Sequence, residues 1–251
     1  MIILAGGEKG GSAKSTTAIN LASEFAYLGY SVGLLDADKK TSVKNWVIVR
    51  DIMRVYLETG EVSFPLTMDD INDLPKAVMN KLKKDGLTVI EGKNSLGDIS
   101  DTVINMAERN DIVIIDVGGG DTEEFHMALQ MCDLAIFPLK PSILDFDTVP
   151  SLEKTLSLAK ARHKDLIIRS LVSDAPTAVL STIVKRFQDG LKQTKLLSNM
   201  FKTVIKNRDS FKDSLNWGLA ARDWKDASAK AEFSSLAKEI SDEYITKKSG
   251  V

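Results

Sequence analysis

Glu8-Lys9-Gly10-Gly11-Ser12-Ala13-Lys14-Ser15-Thr16 follows a short apolar run, Met1 to Ala5, and opens a helical pattern that continues from Lys14 to about Leu28. The run reads as a buried strand. The pattern places Ala18, Leu21, Ala22 and Phe25 on one face and stops at Gly29. A glycine-rich turn between a strand and a helix lets successive backbone N–H groups point inward at phosphate oxygens. The helix N-terminus adds its partial positive charge. Lys14 is placed to contact β- and γ-phosphates, and Ser15 to ligate Mg²⁺. The strict GxxxxGK[ST] spacing is not met, because Glu8 holds its first position and Ala13 its last glycine.

Outward from this loop, apolar runs alternate with helical patterns. Strands are expected at Ser31 to Leu35 and near 87–91, 111–116, 133–138 and 166–172. Helices are expected at 42–58, 69–84, 98–108, 122–131, 146–162, 176–194, 208–220 and 227–246. Strand–helix alternation predicts βαβ crossovers: an α/β, doubly wound, mostly parallel sheet with helices on both faces, as in P-loop NTPases. The runs Ile112-Val113-Ile114-Ile115 and Leu134-Ala135-Ile136-Phe137 are apolar throughout, as doubly covered strands should be. With no linker or repeat, one domain over 1–251 is expected, its nucleotide motifs in 1–150 and a basic, helix-rich part in 151–251. Ligands in such sheets bind at the carboxyl ends of the strands. The carboxylates sit there: Asp36 and Asp38 after the second strand, and Asp116 after Ile112-Val113-Ile114-Ile115. A hydrophobic strand ending in aspartate, downstream of a phosphate loop, has the pattern of a Mg²⁺-holding Walker B carboxylate.

The spacing K-G-G-x-x-K-[ST]-T at Lys9 to Thr16 resembles the deviant phosphate loop of the ParA/MinD ATPases. The resemblance implies ATP and Mg²⁺ as cofactors, with Gly10, Gly11, Ser12, Ala13, Lys14, Ser15 and Thr16 around the nucleotide. It implies that Lys9 reaches across a homodimer interface to the other chain's nucleotide, in the manner of an arginine finger. Asp36-Ala37-Asp38, followed by Thr41, Ser42 and Trp46, looks like the family's D-x-D signature. In that signature Asp38 orients the attacking water and contributes to the metal site, and Asp36 supports the metal shell or the signature lysine. Asp116 would hold Mg²⁺ with Ser15, and Gly118-Gly119-Gly120 fits a loop that senses the γ-phosphate. Pro138-Leu139-Lys140-Pro141-Ser142 with Asp145 resembles the P-x-x-P-S-x-x-D element, whose prolines stiffen a loop beside the dimer interface. Three positions depart from the family. Ala13 replaces a glycine, so its Cβ restricts the backbone. Lys39-Lys40 replaces proline-glutamine. Ser173 stands where the family often has an asparagine for adenine.

The rest of the composition narrows the choice within that family. Apolar residues make up 43% and charged residues 27%, as in a globular chain. Cys132 is the only cysteine, which argues against the iron–sulfur and arsenite-pump relatives and fits a reducing, cytoplasmic setting; the resemblance implies nucleoid association through non-specific DNA binding. The tail Tyr244 to Val251 has two lysines but little bulky apolar surface, so no membrane partner is expected. The first strand begins at residue 1, as in short plasmid ParA proteins without an N-terminal helix-turn-helix. Charge is uneven: residues 1–150 carry 14 Lys/Arg against 23 Asp/Glu, and residues 151–251 carry 19 against 12. Lys185, Arg186, Lys192, Lys195, Lys202, Lys206 and Arg208 form a basic cluster suited to phosphate contacts with DNA, without base readout. The expected function is therefore an ATPase driving plasmid partition. It would dimerise with ATP, bind non-specific DNA and be stimulated by a centromere-binding adaptor protein. The alternatives are a MinD-like positioning ATPase acting on a protein or membrane cargo, and a metabolic synthetase of related fold.

Overall fold

The structure is a computed structural model and describes residues 1–177 and 182–245. The apolar runs become six strands: β1 Ile2–Ala5, β2 Val32–Ala37, β3 Glu91–Asn94, β4 Ile112–Val117, β5 Leu134–Leu139 and β6 Ile167–Val172. They form one sheet in the order β3-β2-β4-β1-β5-β6, and every pairing is parallel. The sheet is thus wholly parallel where a mostly parallel one was expected.

Helices cover both faces. On one, α1 Lys14–Tyr27, α2 Ser42–Thr59, α10 Asp209–Leu215 and α11 Ala227–Ile240 bury Phe25, Trp46, Phe211 and Phe233 against Ile3, Leu34 and Ile114. On the other, α5 Ser100–Arg109, α6 Glu123–Met131, α8 Val149–Arg162 and α9 Thr182–Leu191 bury Met106, Phe125, Leu156 and Phe187 against Leu4, Ile115 and Phe137. A satellite cluster joins α2 to the short helices α3 Met68–Asp73 and α4 Lys76–Asp85 through Met53, Ile71, Val78 and Trp224. The four-residue helix α7 Ile143–Phe146 links β5 to α8.

Three expectations need correction. The helix read over 69–84 is two helices, because the residue before Pro75 is driven out of the helical region; Leu74 is extended at φ −65°, ψ 133°. The strand read near 87–91 lies at Glu91–Asn94. The apolar Leu87, Val89 and Ile90 lead into it, while pairing with Gly33–Asp36 sets the strand itself. The helix read over 208–220 ends at Leu215. Of the helix read over 176–194, residues 178–181 lie outside the described residues, as does most of the tail read for membrane affinity. A π-helical turn, Ser241–Ile245, follows α11. Among the described residues no helix is long and apolar enough to cross a membrane.

The two edges of the sheet differ. Beyond β6, residues 199–205 run alongside the strand: Phe201 N–H donates to Ser170 O at 2.9 Å and Ile205 N–H to Val172 O at 2.9 Å. At the other edge β3 is four residues long, with Lys93 and Asn94 exposed.

Candidate nucleotide site

The carboxyl ends of β1, β2, β4, β5 and β6 converge on a cleft of about 340 Å³. Its phosphate wall is the loop between β1 and α1: Gly10, Gly11, Ala13, Lys14, Ser15 and Thr16 line it. Gly11 (φ 78°) and Ala13 (φ 68°) are left-handed, which turns neighbouring N–H groups toward a common point. For Ala13, the N-cap of α1, that conformation costs about 1–2 kcal/mol. Ser12 is buried; its Oγ donates to Lys9 O at 3.2 Å, and its carbonyl accepts from Ser173 Oγ at 3.3 Å. Ser173, left without a ligand role by the sequence, thus ties the loop to the end of β6.

Lys14 is 6% exposed, and its ammonium donates to Lys9 O at 2.8 Å. Burial holds its pKa below the usual lysine value, opposed by the nearby charges of Asp116 and Asp38. Ser15 Oγ donates to Asp116 Oδ2 at 2.6 Å, and Asp116 is wholly buried. Burial pushes the Asp116 carboxyl up to about 7; the Ser15 hydrogen bond works against that, and the neighbouring Asp36 charge adds to it. Asp116 Oδ1 is buried without a partner. Parallel register sets Asp36 beside Asp116. The two carboxylates nevertheless differ: Asp36 accepts from Asp38 N–H at 3.0 Å and Lys44 N–H at 2.7 Å, so it clamps the start of α2. Burial raises the Asp36 pKa, and those two amides oppose the rise. Asp38 lines the cleft.

The loop Gly118-Gly119-Gly120 lies against the phosphate loop. A Cβ on Gly119 would come 2.8 Å from the Gly10 nitrogen, so only glycine allows this contact. Lys9 is not among the residues lining its own cleft. Its side chain is 39% exposed and its ammonium is 3.4 Å from Asp145 Oδ2. Asp145 is held in turn by Ser142, whose Oγ donates to it at 2.5 Å and accepts from its N–H at 3.1 Å.

The far wall contains residues that no local motif announced. Lys140 and Asp174 form an ion pair there, beside Ile205, Asn207, Phe211 and Phe233. Lys206 and Arg208, read in sequence as DNA contacts, also line this wall. Arg208 is engaged by Glu232 at 2.6 Å and Asp226 at 3.8 Å. The remaining basic residues lie elsewhere: Lys185 and Arg186 are exposed on α9, Lys192 pairs with Asp189 at 2.7 Å, and Lys195 and Lys202 are in the segments that follow.

The donors fit a hard divalent cation. Ser15 Oγ and the unmatched Asp116 Oδ1 are oxygens, and a cation beside Asp116 restores its charged form. Among the described residues there is no group of three His, Cys, Asp or Glu side chains, so the rest of a six-oxygen shell falls to phosphate and water.

A parallel sheet with a phosphate loop after β1, aspartates ending β2 and β4 and a second loop lysine defines a P-loop ATPase of the ParA/MinD type. Residues 1–233 match the family described as ATPase MipZ, and the chain belongs to that family. It is 26% identical to protein ParA of Rhizobium radiobacter over 149 residues, 57% of this chain and 50% of that protein. The match thus spans half the length of that curated relative. Among solved structures, MinD in the MinC:MinD complex of Aquifex aeolicus superposes with a TM-score of 0.68 at 18% identity, covering 96% of each chain. A plasmid partition protein of Borrelia burgdorferi bound to AMPPNP gives 0.61 at 14%, covering 96% of this chain and 98% of that one. MinD of Pyrococcus horikoshii with Mg-ADP gives 0.63 at 16%, covering 100% and 98%. At these identities the structural matches speak for the fold alone.

Proposed function

We propose that this chain is a Mg²⁺-dependent ATP hydrolase that partitions DNA, working as a nucleotide-closed pair of identical chains. The observation that carries the proposal is the position of Lys9: it is half-exposed on the rim, off its own cleft wall, and held by Asp145. There it can serve a nucleotide presented by a facing chain. Relatives bound to AMPPNP, Mg-ADP and ATP support the choice of ligand.

Each residue has an assigned task. Backbone N–H groups of Gly10 to Thr16 bind the phosphates. Lys14 leaves the Lys9 carbonyl to meet the β- and γ-oxygens. Ser15 and Asp116 hold Mg²⁺, which when bound neutralises phosphate charge. Asp38, on the cleft wall, orients the attacking water, and Asp36 keeps the Asp38 loop and α2 in place. The nucleotide base lies toward Lys140, Asp174 and Asn207. Lys185, Arg186, Lys192, Lys195 and Lys202 supply salt-sensitive contacts to DNA phosphates, doubled when two chains pair. A centromere-binding adaptor stimulates hydrolysis and ends the DNA-bound state.

Binding to a non-specific duplex with ATP, with ADP and without nucleotide, at two salt concentrations, tests the proposal. Binding that needs ATP and weakens with salt is expected. Lys9→Ala should still bind ATP yet fail to pair in light scattering. Absence of DNA binding under every condition overturns the DNA cargo in favour of a protein cargo. Pairing of Lys9→Ala removes the cross-chain role.

A further inference from the structure

Two lysines stand side by side after Asp38, and the fold sends them to different places. Lys39 acts on α6: the Glu124 carboxyl, held below the usual range first by the Gly97 N–H, also feels the Lys39 charge. Lys40 instead lines the nucleotide cleft, together with Gly10, Lys14, Ser15, Asp38 and Gly119. A closed turn sets its position. Lys40 N–H donates to Asp38 Oδ1 at 3.0 Å and Thr41 N–H to Asp38 O at 3.0 Å, and Thr41, the N-cap of α2, is left-handed at φ 52°.

That turn packs at the phosphate end of the cleft. A Cβ on Gly118 would lie 3.2 Å from Asp38 Oδ1, and one on Gly119 would meet Gly10, so the turn, the glycine loop and the phosphate loop abut. The Lys40 charge is felt at Lys14: burial chiefly lowers the Lys14 pKa, Asp116 and Asp38 oppose that, and Lys40 lowers it further. Among the described residues the Lys40 ammonium has no hydrogen-bond or ion-pair partner. By contrast, Lys14 rests on the Lys9 carbonyl, Lys140 pairs with Asp174, and Arg208 pairs with Glu232. Lys206 and Lys212 line the far wall with Phe211. Two ammonium groups that repel each other at one end of a cleft, one of them unpaired, suit an anion lying between them.

We infer that Lys40 binds the γ-phosphate of its own chain's nucleotide and so selects a triphosphate over a diphosphate. This rests on the ATPase reading above and adds to it a contact made within one chain. The γ-phosphoryl group is the charge that ADP lacks, and the long lysine side chain reaches for it from the rim while its backbone stays in the turn. Because Lys40 N–H also holds the Asp38 carboxylate, a γ-phosphate that fixes Lys40 steadies the turn that carries Asp38. Loss of the γ-phosphate frees both.

Calorimetry of AMPPNP and ADP binding with Mg²⁺ tests the inference in Lys40→Gln, which keeps a polar side chain and removes the charge. AMPPNP affinity is expected to fall on the order of 10-fold, with ADP affinity unchanged within about twofold. Lys40→Arg should keep most of the preference for AMPPNP, because a guanidinium also binds phosphate. Lys39→Gln removes the same charge from the neighbouring position and should leave both affinities unchanged. The loss in Lys40→Gln should be as large in a Lys9→Ala chain as in the parent. Equal weakening of AMPPNP and ADP by Lys40→Gln, or weakening of neither, overturns the inference. So does a loss matched by Lys39→Gln, which is a diffuse charge effect, or a loss that disappears in the Lys9→Ala chain, which puts Lys40 in contact with the other chain's nucleotide. In each of those cases the parent chain still binds AMPPNP, and the ATPase reading stands. A parent chain that binds neither nucleotide overturns both.

Discussion

The mouth of the sheet and its β6 flank use buried charge differently, although the Arg169 Nε on the flank is, like Asp116 Oδ1 at the mouth, buried without a partner. On the flank, the Arg169 Nη groups reach Glu239 at 3.2 Å, Glu243, the Tyr244 hydroxyl at 2.5 Å and Met200 O at 2.9 Å, and the guanidinium carbon lies 4.1 Å from the Phe201 ring centroid. Those contacts clasp α11 and the π-helical turn to the strand edge. At the mouth, groups are left short of partners. Asp116 Oδ1 has none, the buried Lys14 ammonium rests on one carbonyl, and Ala13 is strained. The flank spends its charges on holding the fold together. The mouth keeps its charges available for a ligand, at a cost in stability that binding returns.

The largest test of that division is Arg169→Ala. Removing one side of a buried ion cluster should cost about 3–5 kcal/mol, lowering Tm on the order of 10 °C, with nucleotide affinity by calorimetry unchanged. A tenfold loss of affinity would show that the flank and the mouth are one unit. Next is Asp116→Asn. A carboxyl at about 7 in the folded chain and 3.8 when free binds more protons folded than unfolded between those values. Nucleotide-free wild type should therefore lose stability relative to the asparagine variant as pH rises from 4 to 7. The variant should melt several degrees above wild type at pH 8, with the gap closing toward pH 4, yet lose Mg²⁺-dependent ATP binding. A gap between the two that does not change with pH would contradict the account of Asp116. The smallest effect is expected from Ala13→Gly: relief of left-handed strain, partly offset by the greater freedom of glycine in the unfolded chain, leaves a gain of about 1 kcal/mol or less. A fall in Tm would mean that Ala13 is not strained as described.

The two regions also differ in how far the sequence revealed them. The phosphate loop is contiguous, and its flanking strand and helix are strongly patterned, so Lys9 to Thr16 could be read directly. Asp36 and Asp116 are legible because each ends an apolar run, and the parallel register then sets them side by side. The split at Pro75 carried a local signal that helical periodicity outweighed. The strand Glu91-Gly92-Lys93-Asn94 carried almost none, since an edge strand on a solvated rim needs neither apolar alternation nor β-branched residues. The Lys140–Asp174 pair, the Asn207 wall and the Lys9–Asp145 contact join residues far apart in the chain, and no window of sequence contains both members. Arg208 looked like part of a basic surface because its partners, Glu232 and Asp226, come later in the chain from around α11.

The strand order has a consequence for synthesis. β1 occupies an inner position, paired with β4 and β5, and its first contact is Ile2 with Val113. A ribosome adding roughly 5–20 residues per second takes roughly 5–20 s to make the intervening chain. Throughout that interval Ile2-Ile3-Leu4-Ala5 is an apolar segment without its partner strands. Once β4 and β5 have emerged, the sheet closes around β1, and the phosphate loop at its end takes shape in the same event.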